Sequence, residues 1–261
     1  MHTAISLLAL AGLGYASILS ALDGTSAKLF TGCVTKGDAA LTFDDGPYLW
    51  NKNVSDICAA NGAKVTFFLN AYNWDCMYQS WYNVNYTDSL LYALSKEHQL
   101  ASHTYSHKDM TTLNQTTLDR EIDWNNLAIK RMTGCMPAFL RPPYGSYNDT
   151  VLMEIGKRNM TACLWDFDSQ DSWTGANATN SKKAYDQGVS SAQGSMLALN
   201  HETYSNSSPD FTVFDVLPYA IDLIQSYGFN LVTVAECLGQ KPYLSTGPPS
   251  KRDWTWYCQE S

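Results

Sequence analysis

Charge is what this chain has least of. Only 16% of its 261 residues are Asp, Glu, Lys or Arg, and 17 basic residues against 25 acidic ones leave a net charge of −8. That deficit of positive charge excludes nucleic acid and anionic membrane surfaces as partners, because both are held by a basic face. Beyond an N-terminal apolar run there is no second stretch of membrane-spanning length, and no apolar C-terminal tail that would precede a lipid anchor. Repeats, low-complexity tracts and linkers are absent. None of the 7 cysteines stands in a CxxC pair, which removes zinc-knuckle and thioredoxin-type readings. Aromatic residues, in contrast, reach 13% within an ordinary hydrophobic content of 45%. Low charge with many aromatics suits a secreted protein that handles sugars, since aromatic faces stack on sugar rings; a Tyr- and Trp-rich core gives the same composition.

The N-terminal run, Ala4 to Leu19, is short for a membrane span, with small residues near its end at Gly14-Tyr15-Ala16 and after it at Thr25-Ser26-Ala27. It reads as a secretory signal peptide, so residues 1–27 are the signal peptide and N-terminal segment and 28–261 a single domain with a C-terminal tail. A mature chain of that length suffices for one large α/β barrel. Seven Asn-x-Ser/Thr sequons, at Asn53, Asn85, Asn114, Asn148, Asn159, Asn177 and Asn206, point to a eukaryotic secretory route and a glycoprotein that is secreted or in the cell wall. In that oxidising compartment the cysteines form disulfides, with at least one left over because seven is odd. Cys33 lies just before the first strand and Cys237 just after the last, so a sheet that closes on itself brings those two together.

Seven apolar runs read as strands: 39–43, 64–70, 99–103, 138–141, 161–167, 195–201 and 230–237. Helical segments lie between them, near 50–60, 88–97, 116–132, 148–158, 181–192 and 211–227. Strict alternation of strand and helix means parallel strands joined by crossovers. The expectation is an α/β fold, a distorted barrel of about seven parallel strands. Segment 116–132 is the clearest helix, with Leu118, Ile122, Leu127 and Ile129 as its apolar face and Asp119, Glu121 and Asp123 loading its first turns with acid. Segment 71–88, rich in Tyr, Trp and Asn without a period, reads as a long functional loop.

Every polar cluster falls at the C-terminal end of a strand, the face on which parallel barrels build active sites. Asp44-Asp45-Gly46-Pro47 is good turn chemistry by itself. Two adjacent carboxylates that both stay ionised also call for a cation beside them. His103 and His107 are two imidazoles at the end of another strand; a carboxylate with two imidazoles is a common way to hold a catalytic divalent ion. Ser102, Thr104 and Ser106 are small polar neighbours able to orient the rings. Arg141-Pro142-Pro143-Tyr144-Gly145 is a rigid loop whose arginine can pair with an aspartate and whose backbone N–H can face an oxyanion. Asp166, Asp168 and Asp171 lack the glycine and glutamate of an EF-hand loop; one of them can orient a histidine while Trp173 walls a pocket. Leu199 and His201 end the sixth run, where a histidine can serve as general acid. His2 and His98 have no such setting.

Thr42–Pro47, His103–His107 and Arg141–Tyr144, in this order, resemble the TFDDGP, H[ST]xxH and RxPY motifs of the polysaccharide deacetylase family, the NodB-homology domain of carbohydrate esterase family 4. The resemblance spans roughly residues 36–238 and implies a NodB-like fold. It implies that Asp44 is the general base, that Asp45, His103 and His107 hold zinc, with cobalt or another divalent ion as alternatives, and that Arg141 orients Asp44. It further implies that the Tyr144 N–H serves the oxyanion, that His201 is the general acid, and that Leu199 lines the acetyl pocket. Asp168 and Asp171 fit the acids of a DxxDW motif, with Asp171 tuning the histidine. Trp173 departs from that motif, displaced one position by Ser172, and Glu202 stands where a different acid is more usual.

The implied activity is metal-dependent removal of N-acetyl groups from chitin or N-acetylglucosamine oligomers, releasing acetate. The alternatives are an O-acetyl esterase of the acetylxylan type and a non-catalytic cell-wall polysaccharide-binding protein. No nucleic acid partner and no stable membrane insertion after signal cleavage are expected.

Overall fold

β2, Asp38–Gly46, runs through the middle of the sheet and is buried from its second residue to its last. The computed structural model describes residues 26–203 and 213–259. The N-terminal apolar run, His2 and the sequon at Asn206 lie outside them. β2 pairs in parallel with β3 (Val65–Leu69) on one side and β9 (Met196–His201) on the other. From β3 the sheet continues through β4 (Gln99–Ser102), β6 (Phe139–Leu140) and β7 (Thr161–Cys163) to β1 (Leu29–Phe30); from β9 it continues to β8 (Phe167–Asp168). All these ladders are parallel. A short antiparallel pair, β5 (Met136–Pro137) with β11 (Tyr243–Ser245), lies apart.

β7 lies one strand in from the edge strand β1, and β8 is the opposite edge, yet only Leu164, Trp165 and Asp166 separate β7 from β8 in the chain. The apolar run 161–167 is therefore not one strand. It supplies one edge strand, β8, and the strand next to the other edge, and the sheet curls into a distorted barrel so that it can. The seam is bonded on both sides: the Leu164 N–H donates to the Phe30 carbonyl (2.7 Å), and the Leu197 N–H donates to Asp166 Oδ1 (2.7 Å).

Strand alternation then decides which side chains reach the interior. On β2, Ala39, Leu41 and Phe43 pack outward in the main core; Val54 and Cys58 of α1 (Asn51–Ala60), Leu90 of α2 (Tyr86–Ser95), Ile129 of α3 (Gln115–Thr133) and Ile221 of α6 (Val213–Ser226) lie in that same core. The interior takes Ala40, Phe68, Ala101, Phe139 and Leu197. By the same parity Thr42 and Asp44, His103, Arg141, and Leu199 and His201 all point inward at the strands' C-terminal ends. α4 (Asp149–Lys157) and α5 (Ala178–Ser191) complete the helical layer. The buried face of α3 includes Leu118, Ile122 and Ile129, but Leu127 is exposed, and Glu121 and Asn125 occupy buried positions.

The last run, 230–237, is also not a continuous strand. β10 (Asn230–Leu231) gives way to α7 (Val234–Cys237), because Thr233 and Glu236 form a capping box: the Glu236 N–H donates to Thr233 Oγ1 (3.2 Å) and the Thr233 N–H to Glu236 Oε2 (2.9 Å). α7 plugs the barrel's lower end. Its Val234 and Ala235 N–H groups donate to Thr66 Oγ1 (2.9 Å) and Gln99 Oε1 (2.8 Å). Cys33 and Cys237 are disulfide-bonded, as the closing sheet requires, and Cys76 is bonded to Cys258; Cys58, Cys135 and Cys163 are free and buried. Four sequon asparagines, Asn85, Asn114, Asn148 and Asn177, are helix N-caps, each side chain accepting from the backbone N–H three residues on.

Candidate active site

Two aspartates end β2 but face different ways. Asp44 keeps the strand's alternation and stands beside His201 in register with β9. Asp45 has φ +72, a left-handed turn that Asp tolerates, followed by a cis Gly46–Pro47 bond. The turn swings the second carboxylate toward the histidines. Segment 103–107 is not helical; positive φ at Thr104 (+69) and His107 (+58) folds it so that the two imidazoles meet, with ring centroids 4.9 Å apart.

Asp45 Oδ1 lies 3.2 Å from His107 Nε2 and 3.6 Å from His103 Nε2, and ligand atoms of the three residues all fall within 4.8 Å of one another. That oxygen is buried and makes no hydrogen bond, which leaves it open for a cation. Burial holds His103 well below the usual imidazole range, with His107 pushing the same way, and burial also lowers His107 against the pull of Asp45. Both rings are thus neutral, the form that coordinates. His103 Nδ1 donates to the Arg141 carbonyl (2.8 Å), which fixes the tautomer and turns Nε2 toward Asp45. The donor set of one carboxylate and two imidazoles fits a divalent cation.

Of the small residues expected to orient the rings, Ser102 and Thr104 do not do so with their side chains. Ser102 Oγ accepts from Asn125 (2.8 Å), and Thr104 Oγ1 has no partner. Glu121 holds the segment instead, accepting from the Ser106 N–H (2.8 Å) and hydroxyl, while Asn70 Nδ2 donates to the carbonyls of His103 and Thr104. Glu121 and Asn125 are one helical turn apart on the buried side of α3. Read only as acid at a helix start, Glu121 concealed this role; the signal was two polar residues at the spacing of the apolar face.

Arg141 is fully buried. Its Nη1 donates to Asp44 Oδ1 (2.7 Å) and Thr42 Oγ1 (2.7 Å), and its Nη2 to the Leu164 carbonyl (2.8 Å). Burial pushes Asp44 up to about 6, against the opposing charges of Arg141 and His201. On the far wall, Asp171 receives both the His201 backbone N–H and Nδ1, each at 2.7 Å. Burial pushes His201 down, but Asp171, with Asp45 and Asp44 behind it, outweighs that and brings it to about 9. His98, by contrast, is a core residue: its Nδ1 accepts from the Val65 N–H (3.3 Å) and its Nε2 contacts the Ser55 carbonyl (3.1 Å).

A cleft of about 200 Å³ is lined by Asp44, Asp45, His103, His107, Leu199 and His201. Tyr144, at φ +60, sets its ring edge-on to His107 (4.7 Å) at the mouth. Asp168, Trp165 and Ser172 complete the wall. Trp173 does not line it. It is 57% exposed, with its indole N–H donated to Asp168 Oδ2 (3.2 Å), because the extra residue carries it past the rim. Trp165, in the crossing between β7 and β8, stands in the wall where Trp173 was expected. Asp166 serves the seam.

A curled parallel sheet with a carboxylate–imidazole cluster, a buried Asp–Arg pair and a carboxylate-backed histidine defines a metal-assisted hydrolase architecture. Residues 31–163 match the family model described as polysaccharide deacetylase, and the chain belongs to that family. It is 32% identical over 216 residues to a chitin deacetylase of Pestalotiopsis sp., covering 81% of this chain and 67% of that protein. To a chitin deacetylase of Arthroderma benhamiae it is 33% identical over 210 residues, 79% of this chain but 53% of that one. The structure of the chitin deacetylase from Colletotrichum lindemuthianum superposes with a TM-score of 0.75 at 25% identity, over 85% of this chain and 96% of that one. Among the described residues no helix is long and apolar enough to cross a membrane.

Proposed function

We propose that the chain is a divalent-metal-dependent N-deacetylase that hydrolyses the acetamido groups of chitin or N-acetylglucosamine oligomers and releases acetate. The observation that carries this is the unbonded, buried Asp45 oxygen facing two imidazoles, with a second carboxylate and a carboxylate-backed histidine on either side of the same small cleft.

Asp45, His103 and His107 would hold the ion, and two imidazoles with one carboxylate favour zinc, with cobalt next. When bound, the ion supplies Lewis acidity that acidifies a water and polarises the acetyl carbonyl. Asp44, oriented by Arg141, accepts the proton of the attacking water. The tetrahedral oxygen faces the backbone N–H of Tyr144. His201, protonated because Asp171 backs it, donates its proton to the leaving sugar nitrogen as acetate departs. Leu199 and Trp165 enclose the acetyl methyl group. Asp44 is not consumed, and no covalent intermediate forms.

Export rests on the N-terminal apolar run, two disulfides and the sequons. Four of those sequons have a structural cause as helix caps, so their number argues less strongly than it does alone; glycosylation at Nδ2 nonetheless leaves the capping Oδ1 in place. The decisive test is acetate release from chitin oligomers with zinc, with chelator, and by Asp44→Asn. Release that disappears in the last two is expected. Folded, metal-loaded protein that releases acetate from acetylxylan but not from chitin oligomers would overturn the N-deacetylase reading.

A further inference from the structure

The exposed side of α3 carries a second cleft, of about 250 Å³, which shares no residue with the one holding Asp44 and His201. Trp124, Leu127 and Arg131, three and four residues apart on α3, form its floor. Trp254, Tyr257 and Gln259 of the C-terminal segment form its wall.

The aromatic residues of that segment divide into two kinds. Trp256 is 6% exposed, packed on Tyr78 (5.3 Å) with the Arg252 guanidinium over its ring (5.7 Å), and it covers the core. Trp254 is 86% exposed and Tyr257 49%. Covering the domain therefore accounts for Trp256 and leaves Trp254 and Tyr257 unexplained. Nor is the segment loose. The Cys76–Cys258 disulfide fixes it, the Gln259 N–H donates to Tyr105 Oη (3.0 Å), the Ser250 N–H to the Arg131 carbonyl (2.7 Å) and Arg252 to the Tyr78 carbonyl (2.7 Å). A preorganised aromatic surface with amide and guanidinium donors at its edge is suited to a ligand having apolar C–H faces and hydroxyl or amide rims.

We propose that this cleft is a second saccharide-binding site, which holds a short stretch of a neutral, acetylated N-acetylglucosamine chain while the catalytic cleft works elsewhere on the polymer. The inference rests on the deacetylase reading for the identity of the sugar. Its volume falls below the ~300–1,000 Å³ of sites that enclose a drug-sized ligand, which suits part of a chain lying across a surface. Charge narrows the occupant further. A net charge of −8 disfavours anionic polysaccharides. Locally, Arg131 and Arg252 outnumber Asp253, which disfavours the cationic, deacetylated product. Tyr105 lies between His103 and His107 in the chain and lines this cleft, so the segment that carries both histidines forms part of its wall.

The test compares the metal-loaded full chain with Trp254→Ala and Tyr257→Ala, each also in an Asp44→Asn background so that bound polymer is not consumed. Retention on insoluble chitin is measured beside acetate release from the soluble tetramer by the forms that keep Asp44. Trp254 touches no core, so the thermal midpoint is unchanged. The expected result is retention weakened about five- to tenfold in each variant, with tetramer turnover unchanged. Retention equal to that of the wild type overturns the proposal. So does turnover that falls in step with retention, which would merge the two clefts, and so does equal retention on cellulose and chitosan, which would make the patch an unselective surface. A wild-type chain that releases no acetate from the tetramer refutes the deacetylase reading, while the retention comparison still decides the second site.

Discussion

Replacing Asp171 by Asn tests how much of the proton on His201 is owed to one carboxylate. Both of its oxygens are used on His201, at 2.7 Å to the backbone N–H and 2.7 Å to Nδ1. Burial acts to lower the histidine from 6.5, and Asp171 is the first of the influences that together raise it to about 9. A carboxylate stabilises the charged imidazolium, so its loss lowers the pKa; a full return to the ordinary 6.5 sets the scale of the effect. At pH 8 the protonated fraction then falls from about nine-tenths to about 3%, roughly thirtyfold, whereas at pH 6 most of the histidine stays protonated in both forms. A bound cation offsets the part owed to Asp44 and Asp45, so the wild-type alkaline limb lies at or below 9; the displacement owed to Asp171 remains. The assay is kcat/KM for acetate release from a chitin oligomer between pH 5 and 10, with metal saturating. Asp171→Asn should lose about twentyfold more activity at pH 8 than at pH 6, on top of a uniform loss from misorientation of the ring. An alkaline limb that keeps its wild-type position would refute the assignment of His201 as a general acid tuned by Asp171.

Glu121→Ala removes the carboxylate that pins Ser106 and should weaken metal affinity about 10–100-fold, read by competition with a chromogenic chelator; unchanged affinity refutes the positioning role. Glu202 is fully buried, and burial pushes it up to about 8 against hydrogen bonds from Asn51 and the Tyr48 N–H. Its folded pKa exceeds the unfolded one, so stability rises as pH falls from about 8 toward 4.5. Glu202→Gln should abolish that dependence and be more stable than wild type above pH 8 by about 5 kcal/mol at most, checked by denaturant titration at pH 5 and pH 9. Gly46→Ala places a Cβ 1.9 Å from Glu202 Oε1. It should lose metal binding together with stability, and a variant that binds metal normally would show that the turn is more compliant than its packing indicates.

The order of strands and the ends at which chemistry gathers were legible, because parallel strands are apolar on both faces and polar residues at their tips stand out. What stayed hidden depended on partners distant in the chain. Nothing local shows that 161–167 must break after Cys163 to serve strands toward both ends of the sheet, since the break is imposed by the curl of the sheet. The end of the last run was open to a closer reading: Thr233 and Glu236 stand at capping-box spacing within an apolar stretch, and the helix they start overrides its strand-like composition. Glu121 and Asn125 were visible as polar residues at apolar spacing on α3, but only the turn at Thr104 and His107 gives them an object. Trp173, already one position out of its motif, shows the effect of an insertion, because it stands past the rim. The residue count changed, and the wall was filled from another segment, by Trp165.

The Asp-Asp-Gly-Pro sequence had two readings, a turn or a site, and the structure makes them one. Asp45 can face the histidines only because it adopts the left-handed turn conformation, while Asp44 remains on the strand beside His201. The turn in turn rests on Glu202, whose carboxyl lies against the Cα of Gly46 and accepts from the Tyr48 N–H (2.7 Å). Any side chain at position 46 would occupy the place of that carboxyl. Glu202 thus supports the backbone of Asp45 from the other side of the sheet. Motifs more than 150 residues apart in sequence are therefore not independent signatures that happen to occur together. Each supplies the packing that lets the other hold its geometry, which is why a change at Gly46 or Glu202, neither of which lines the cleft, is expected to register at the metal.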